Sequence, residues 1–138
     1  MELRRGRADD FEAVLAFWAQ ATTVPSETDD VDGLTTLLAR APESLILAID
    51  GGEIVGTVIA GFDGWRAAMY RIAVRPDYRR HGLGRTLVSE GERVLCEQGA
   101  RRFHMIVQPG EAPANAFWAA VGYERTDQYR YVKTLSAG

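Results

Sequence analysis

One segment constrains this chain more than any other: Ile72-Ala73-Val74-Arg75-Pro76-Asp77-Tyr78-Arg79-Arg80-His81-Gly82-Leu83-Gly84-Arg85-Thr86-Leu87. Apolar, strand-forming residues stop at a proline, a basic run follows, and two glycines open a stretch with helical apolar spacing. The segment reads as strand, basic turn and helix. The first turn of a helix leaves backbone N–H groups without intrahelical partners and carries the positive end of the helix dipole, so it suits an anion. Glycines at 82 and 84 remove the Cβ atoms that would keep a phosphate away from the backbone. Arg75, Arg79, Arg80, His81 and Arg85 add positive charge. Together these features predict a ligand bearing phosphate or pyrophosphate; the alternative is a turn with a solvated basic face. The segment lacks the Gly-x-x-x-x-Gly-Lys-Ser/Thr of a nucleotide P-loop, and Leu87 stands where a dinucleotide fingerprint needs its third glycine.

The basic run stands out because the chain is otherwise acidic: 16 Lys+Arg against 19 Asp+Glu give a net charge of −3. That balance argues against a general nucleic-acid binder. A length of 138 residues with 46% hydrophobic content suits one soluble domain, 1–138, with a substantial core. The longest apolar runs, 44–49 and 54–60, are strand-sized and far short of the roughly 20 residues of a membrane helix. Met1–Arg7 carries no apolar stretch after its basic residues, so it does not read as a secretion signal, and a cytoplasmic location is expected. Cys96 alone cannot form an internal disulfide or a structural zinc site, and no metal is expected.

Around this segment the chain is orderly. After a short N-terminal strand, Asp9 with Glu12 three residues on suggests a capped helix carrying Phe11, Val14, Leu15 and Trp18 on one stripe. A loop spans 22–30, and a second helix carries Val31, Leu34, Leu37 and Leu38 up to Pro42. The runs 44–49 and 54–60 flank Asp50-Gly51-Gly52-Glu53, a hairpin signal. A strand is expected over 67–74, a helix from Leu83 to Gly99, a strand over 103–107, a short helix over 115–121, and one or two closing strands over 123–134. The order α-α-β-β-β-α-β-α-β implies a mixed α/β sheet, of α+β type.

Arg79-Arg80-His81-Gly82-Leu83-Gly84 resembles the Arg/Gln-x-x-Gly-x-Gly/Ala signature of the GNAT superfamily of N-acetyltransferases, and the likeness extends to Val74, Pro76 and Leu87. Asn115-Ala116-Phe117-Trp118-Ala119-Ala120-Val121-Gly122-Tyr123 resembles the family's second signature, Asn-x-x-(aromatic)-x-x-x-Gly-(Phe/Tyr). The stretch 56–64 is similar to the bacterial YpeA-like branch. The resemblance implies a GNAT-like fold, a central mixed sheet of six to seven strands flanked by about four helices. It also implies transfer of an acetyl group from acetyl-CoA to an amine of a small molecule or a protein. By position, the Ile72 N–H would polarise the thioester carbonyl and the Val74 backbone would pair with pantetheine. The stretch Arg79, Arg80, His81, Gly82, Leu83, Gly84, Arg85 and Thr86 would hold the pyrophosphate. Asn115 would contact CoA or brace its helix, its alternative being a simple helix cap.

No catalytic base stands out. Tyr70 and Arg71 occupy positions where some relatives carry acidic or polar groups, so Tyr70 is a candidate; Asp63 and Glu111 are candidates acting through water, or else surface carboxylates. Trp118 stands where many relatives place an acidic tyrosine, so its part in catalysis and CoA binding is an open expectation, with an acyl-CoA-binding module of little turnover as the alternative function. A thiolate can leave without a strong acid. His104 reads as structural and Cys96 as packing. Trp18, Trp65, Tyr70, Tyr129 and Tyr131 could line an acceptor pocket, and Glu27, Asp29 and Asp30 could attract a cationic amine. The closing strands could pair two copies, so a monomer or a homodimer is expected.

Overall fold

The computed structural model describes residues 1–21, 26–107 and 112–135. They divide into two compact units, Met1–Met105 and Ile106–Gly138. The first unit contains β1 (Glu2–Arg5), α1 (Phe11–Ala21), α2 (Val31–Arg40), β2 (Leu45–Asp50), β3 (Glu53–Phe62), β4 (Ala67–Val74), α3 (Leu83–Glu97) and β5 (Phe103–His104); the second holds α4 (Ala112–Ala120). The strands form one sheet in the order β1-β2-β3-β4-β5, antiparallel throughout except for the parallel β4–β5 pair.

Two helical layers explain why β2 is buried from Leu45 to Ile49 with no polar face. Leu45, Leu47 and Ile49 pack with Phe11, Val14 and Trp18 of α1 and Leu34 of α2. The alternate residues face α3, which buries Leu83, Leu87, Val88, Gly91, Val94 and Leu95. α3 lies close to the sheet because glycines face each other's layer: a Cβ on Gly56 would come within 2.8 Å of Leu87, and one on Gly91 within 3.1 Å of the Met69 sulfur. Cys96, one residue past the inward Leu95, is exposed rather than packed.

The turns follow the chemistry of their residues. Gly51 (φ 59°) and Gly52 (φ 80°) supply the left-handed pair a two-residue hairpin needs. α1 is reached through a single 3₁₀ turn at Ala8–Asp10, and Asp10 rather than Asp9 does the capping. Its carboxylate accepts from the Arg7 N–H (2.8 Å) and from both terminal nitrogens of Arg4 (2.8 and 2.9 Å). The Arg4 guanidinium and the Arg7 N–H hold that carboxyl below its usual range. Asp30 caps α2, accepting from the Gly33 N–H at 2.7 Å.

The order of elements agrees with the sequence reading through α4, but the described residues contain five strands where six or seven were expected. The difference is the closing segment: 123–135 contains no strand. Its alternation of Tyr129 and Tyr131 with polar residues looks strand-like, yet both tyrosines are exposed, and a strand is stable only where an edge pairs with it. No helix among the described residues is long and apolar enough to cross a membrane.

Candidate active site

β4 ends, and α3 begins, at the segment singled out in the sequence. After Val74 the chain makes a 3₁₀ turn at Pro76–Tyr78, and the Arg79 Nε reaches back to donate to the Val74 carbonyl at 3.3 Å. Arg80 (φ 67°) and Gly82 (φ 81°) are both left-handed, which turns the chain into the first turn of α3. Leu83 anchors that turn in the core while Arg79, Arg80, His81, Gly82, Arg85 and Thr86 are exposed and Gly84 is half-buried. Thr86 donates through its N–H and its Oγ1 to the Gly82 carbonyl, each at 3.0 Å, which ties the first turn of α3 to the loop before it. The structure thus brings Ile72, Val74 and the stretch 79–86 to one end of the sheet.

Arg75 is not part of the cationic set that the sequence suggested. Its guanidinium is engaged by Asp77 (2.8 and 3.1 Å) and Glu53 (3.0 Å), and it lies 4.8 Å from the Tyr78 ring centre. The Tyr78 hydroxyl donates to Asp50, which pushes its pKa up, so this turn is tied to the β2–β3 hairpin.

Two features of β4 bear on ligand binding. First, among the described residues it pairs with β5 only at Ala67–Phe103 and Ala68–His104, so 69–74 run on beyond that paired stretch. Second, the register with β3 passes from Thr57–Ala73 to Ile59–Tyr70, one residue more on β4 than on β3. This is a bulge, and Arg71 within it is left-handed at φ 51°. A non-glycine residue holds such a backbone only where its surroundings fix it. Here the Arg71 carbonyl accepts from Thr57 Oγ1 at 2.8 Å, and Thr57 Oγ1 accepts from the Trp18 indole N–H at 2.9 Å. The Arg71 side chain forms a two-pronged ion pair with Asp29, 3.1 and 2.5 Å. Ile72 directly follows this residue.

Those contacts revise several expectations. Asp29 is bound to Arg71 and Asp30 is the cap of α2, so of the three loop carboxylates Glu27 is the exposed one left to meet a cation. Trp18 belongs to the core, at 2% exposure, instead of lining an open pocket. Asp63 is a poor base: the backbone N–H groups of Arg66 (2.7 Å) and Trp65 (2.8 Å) hold its carboxyl below the usual range. Tyr70 is 52% exposed on β4, and Trp65, in the turn between β3 and β4, is exposed with Arg66 stacked on its ring at 4.4 Å. His104 is half-buried at the end of β5. Glu111 lies outside the described residues. Thr57 went unnoticed in the sequence, although a single hydroxyl in the apolar run 54–60 was the signal that could have found it.

In the second unit, α4 shows what the spacing of its motif does locally. Gly122 (φ 98°) is left-handed; its N–H donates to the Ala119 carbonyl (3.1 Å) and the Tyr123 N–H to the Trp118 carbonyl (3.0 Å). That is a Schellman helix stop, and its characteristic apolar contact is the Trp118–Tyr123 ring pair, 4.9 Å apart. Trp118 also meets Phe117 edge-on at 5.1 Å and is 6% exposed. Asn115 is half-buried on the same helix. Among the described residues no group of three or more His, Cys, Asp or Glu side chains is placed to hold a metal ion.

Comparison with known proteins fits this geometry. An acetyltransferase of Pectobacterium atrosepticum is 32% identical over 127 residues, spanning 92% of this chain and 90% of its own length. Ard1 from Thermoplasma volcanium superposes with a TM-score of 0.80 at 21% identity, over 91% of this chain and 83% of its own. AAC(6')-Iy, solved with the bisubstrate analogue CoA-S-monomethyl-acetylneamine, superposes with a TM-score of 0.75 at 19% identity, over 98% of each chain. These two structures share the fold with this chain. The model of the Acetyltransferase (GNAT) family matches residues 11–123, and the chain belongs to that family.

Proposed function

We propose that the chain, acting as one functional domain over 1–138, transfers an acetyl group from acetyl-CoA to a primary amine of a small molecule or a protein. The observation that carries this reading is the joint placement of a length of β4 edge that runs past its β5 pairs among the described residues and a left-handed, glycine-opened helix start at the same end of the sheet. A long ligand with a peptide-like middle and a pyrophosphate needs both features. The residues present fit acetyl-CoA: the backbone of Val74 offers strand-like hydrogen bonds to pantetheine, and the amides around Gly82 and Gly84 offer donors to pyrophosphate. Arg79, Arg80, His81, Arg85 and Thr86 are candidate side-chain contacts, with Leu83 holding the turn in place. Asn115 and Trp118 are candidates on the second signature alone.

Acetyl-CoA supplies the activated thioester. The Ile72 N–H, set by the bulge, is the donor for the developing oxyanion. A neutral amine attacks the acetyl carbonyl, the C–S bond breaks, and CoA leaves as a thiolate stable enough to need no strong acid. This matters because the Trp118 indole is committed to a helix stop. Tyr70, exposed on the strand that carries Ile72, is the side chain best exposed to orient an incoming amine or relay its proton through water. Positioning therefore carries most of the catalysis, with acid–base help the smaller part.

The test is the thermal unfolding midpoint with acetyl-CoA, CoA and NAD, followed by acetylation of an amine panel. A ligand at 100 times its dissociation constant adds about 2.7 kcal/mol, a visible shift. A rise with CoA and acetyl-CoA, none with NAD, is expected. Gly84→Glu should fold normally and lose that rise, because its carboxylate would meet the pyrophosphate. CoA binding without transfer to any amine would indicate a CoA-binding module instead, and no rise at all would overturn the assignment.

A further inference from the structure

We infer that Thr57 is a positioning residue for acetyl transfer, holding the β4 bulge so that the Ile72 N–H points at the acetyl carbonyl. The inference rests on the role given to Ile72 above and adds the group that sets it. Thr57 is completely buried on β3, and its hydroxyl has one proton to give and receives one. Trp18 donates to it at 2.9 Å, which leaves the Thr57 proton directed to the Arg71 carbonyl at 2.8 Å. The chain of donors thus runs in one direction, from the α1 indole through β3 to the bulge. The carbonyl of residue 71 and the amide of residue 72 belong to one peptide plane, so fixing the first aims the second. The Arg71–Asp29 ion pair holds the other end of the same residue, at its side chain. Without both anchors the left-handed backbone of Arg71 would relax towards regular strand geometry, and the peptide plane would turn with it.

Thr57→Val keeps the shape and removes the hydroxyl. Two readouts test it: the amide nitrogen and proton shifts of 70–73 in the ligand-free protein, and the ratio of dissociation constants for acetyl-CoA and CoA. CoA lacks the acetyl carbonyl, so only acetyl-CoA should feel a misdirected Ile72 amide. Expected are displaced shifts at 70–73 and about a fivefold loss of preference for acetyl-CoA, the worth of one hydrogen bond, with CoA binding changed by less than about twofold. Thr57→Ser should restore both. If Thr57→Val does not fold, Thr57→Cys, a weaker donor of similar bulk, takes its place with the same expected direction. Equal weakening of both ligands, or unchanged shifts and ratio in a folded variant, would overturn the proposal alone. Wild-type protein that binds neither ligand would overturn the acetyl-CoA reading, and this proposal with it.

Discussion

Glu90 shows how one side chain adds a pH-dependent contribution to the stability of a small fold. Its carboxylate is hydrogen-bonded by Arg93 and by Arg5, which holds its pKa at about 2. An unfolded glutamate titrates near 4.3. The depressed folded value means this pairing stabilises the protein fully above about pH 4.5 and is lost as the pH falls towards 2. Arg93 is exposed, so screening reduces the worth of the pairing to that of a surface ion pair. Denaturation of Glu90→Gln against pH should show a deficit of that size at pH 7 that shrinks below pH 4.5 and vanishes near pH 2. A deficit independent of pH would mean that packing, not charge, is what the substitution removes. At this scale the sequence was partly legible. The basic turn and its glycines were readable because their chemistry is local, whereas the engagement of Arg75 by Glu53 and of Arg71 by Asp29 spans 22 and 42 residues of chain. Such distances carry no periodic signal.

At the scale of elements, the helices and the hairpin were visible because each announces itself: apolar spacing for α1–α3, paired glycines for the β2–β3 turn, and glycine stops at 99 and 122. The bulge in β4 had no such announcement, since Arg71 is an ordinary residue made left-handed by its neighbours. The absence of strands over 123–135 was hidden for the opposite reason: a strand-like pattern is present there, although the tyrosines that carry it, Tyr129 and Tyr131, are exposed. Close layer packing makes the firmest prediction here. Gly56→Val should destabilise by about 1–3 kcal/mol in urea denaturation, because the new side chain meets Leu87 and Leu83 of α3 and the Ala73 carbonyl. The same wedge lifts the first turn of α3, so CoA binding should weaken together with stability. Stability lost without any change in binding would show that the loop at 79–86 is positioned independently of that helix.

Taken whole, the Met1–Met105 unit concentrates its strength in the middle of the sheet. β2 and β3 are covered on both faces, while β5 is joined to its neighbour by two residue pairs only. Cooperative stability is therefore unevenly spread, and the weak margin lies beside the proposed acetyl-CoA site. Amide hydrogen exchange should reveal this as a gradient: Ile46–Ala48 and Val58–Ala60 should exchange only through global unfolding, and Phe103–His104 through frequent local opening. Saturating acetyl-CoA should slow exchange along 69–74 and leave the middle strands unchanged; uniform slowing would place the weak margin elsewhere. The two-pair junction then acquires a kinetic meaning. A margin that opens often and cheaply sets a local clock: Phe103 and His104 would leave and rejoin the sheet many times within the lifetime of one folded molecule.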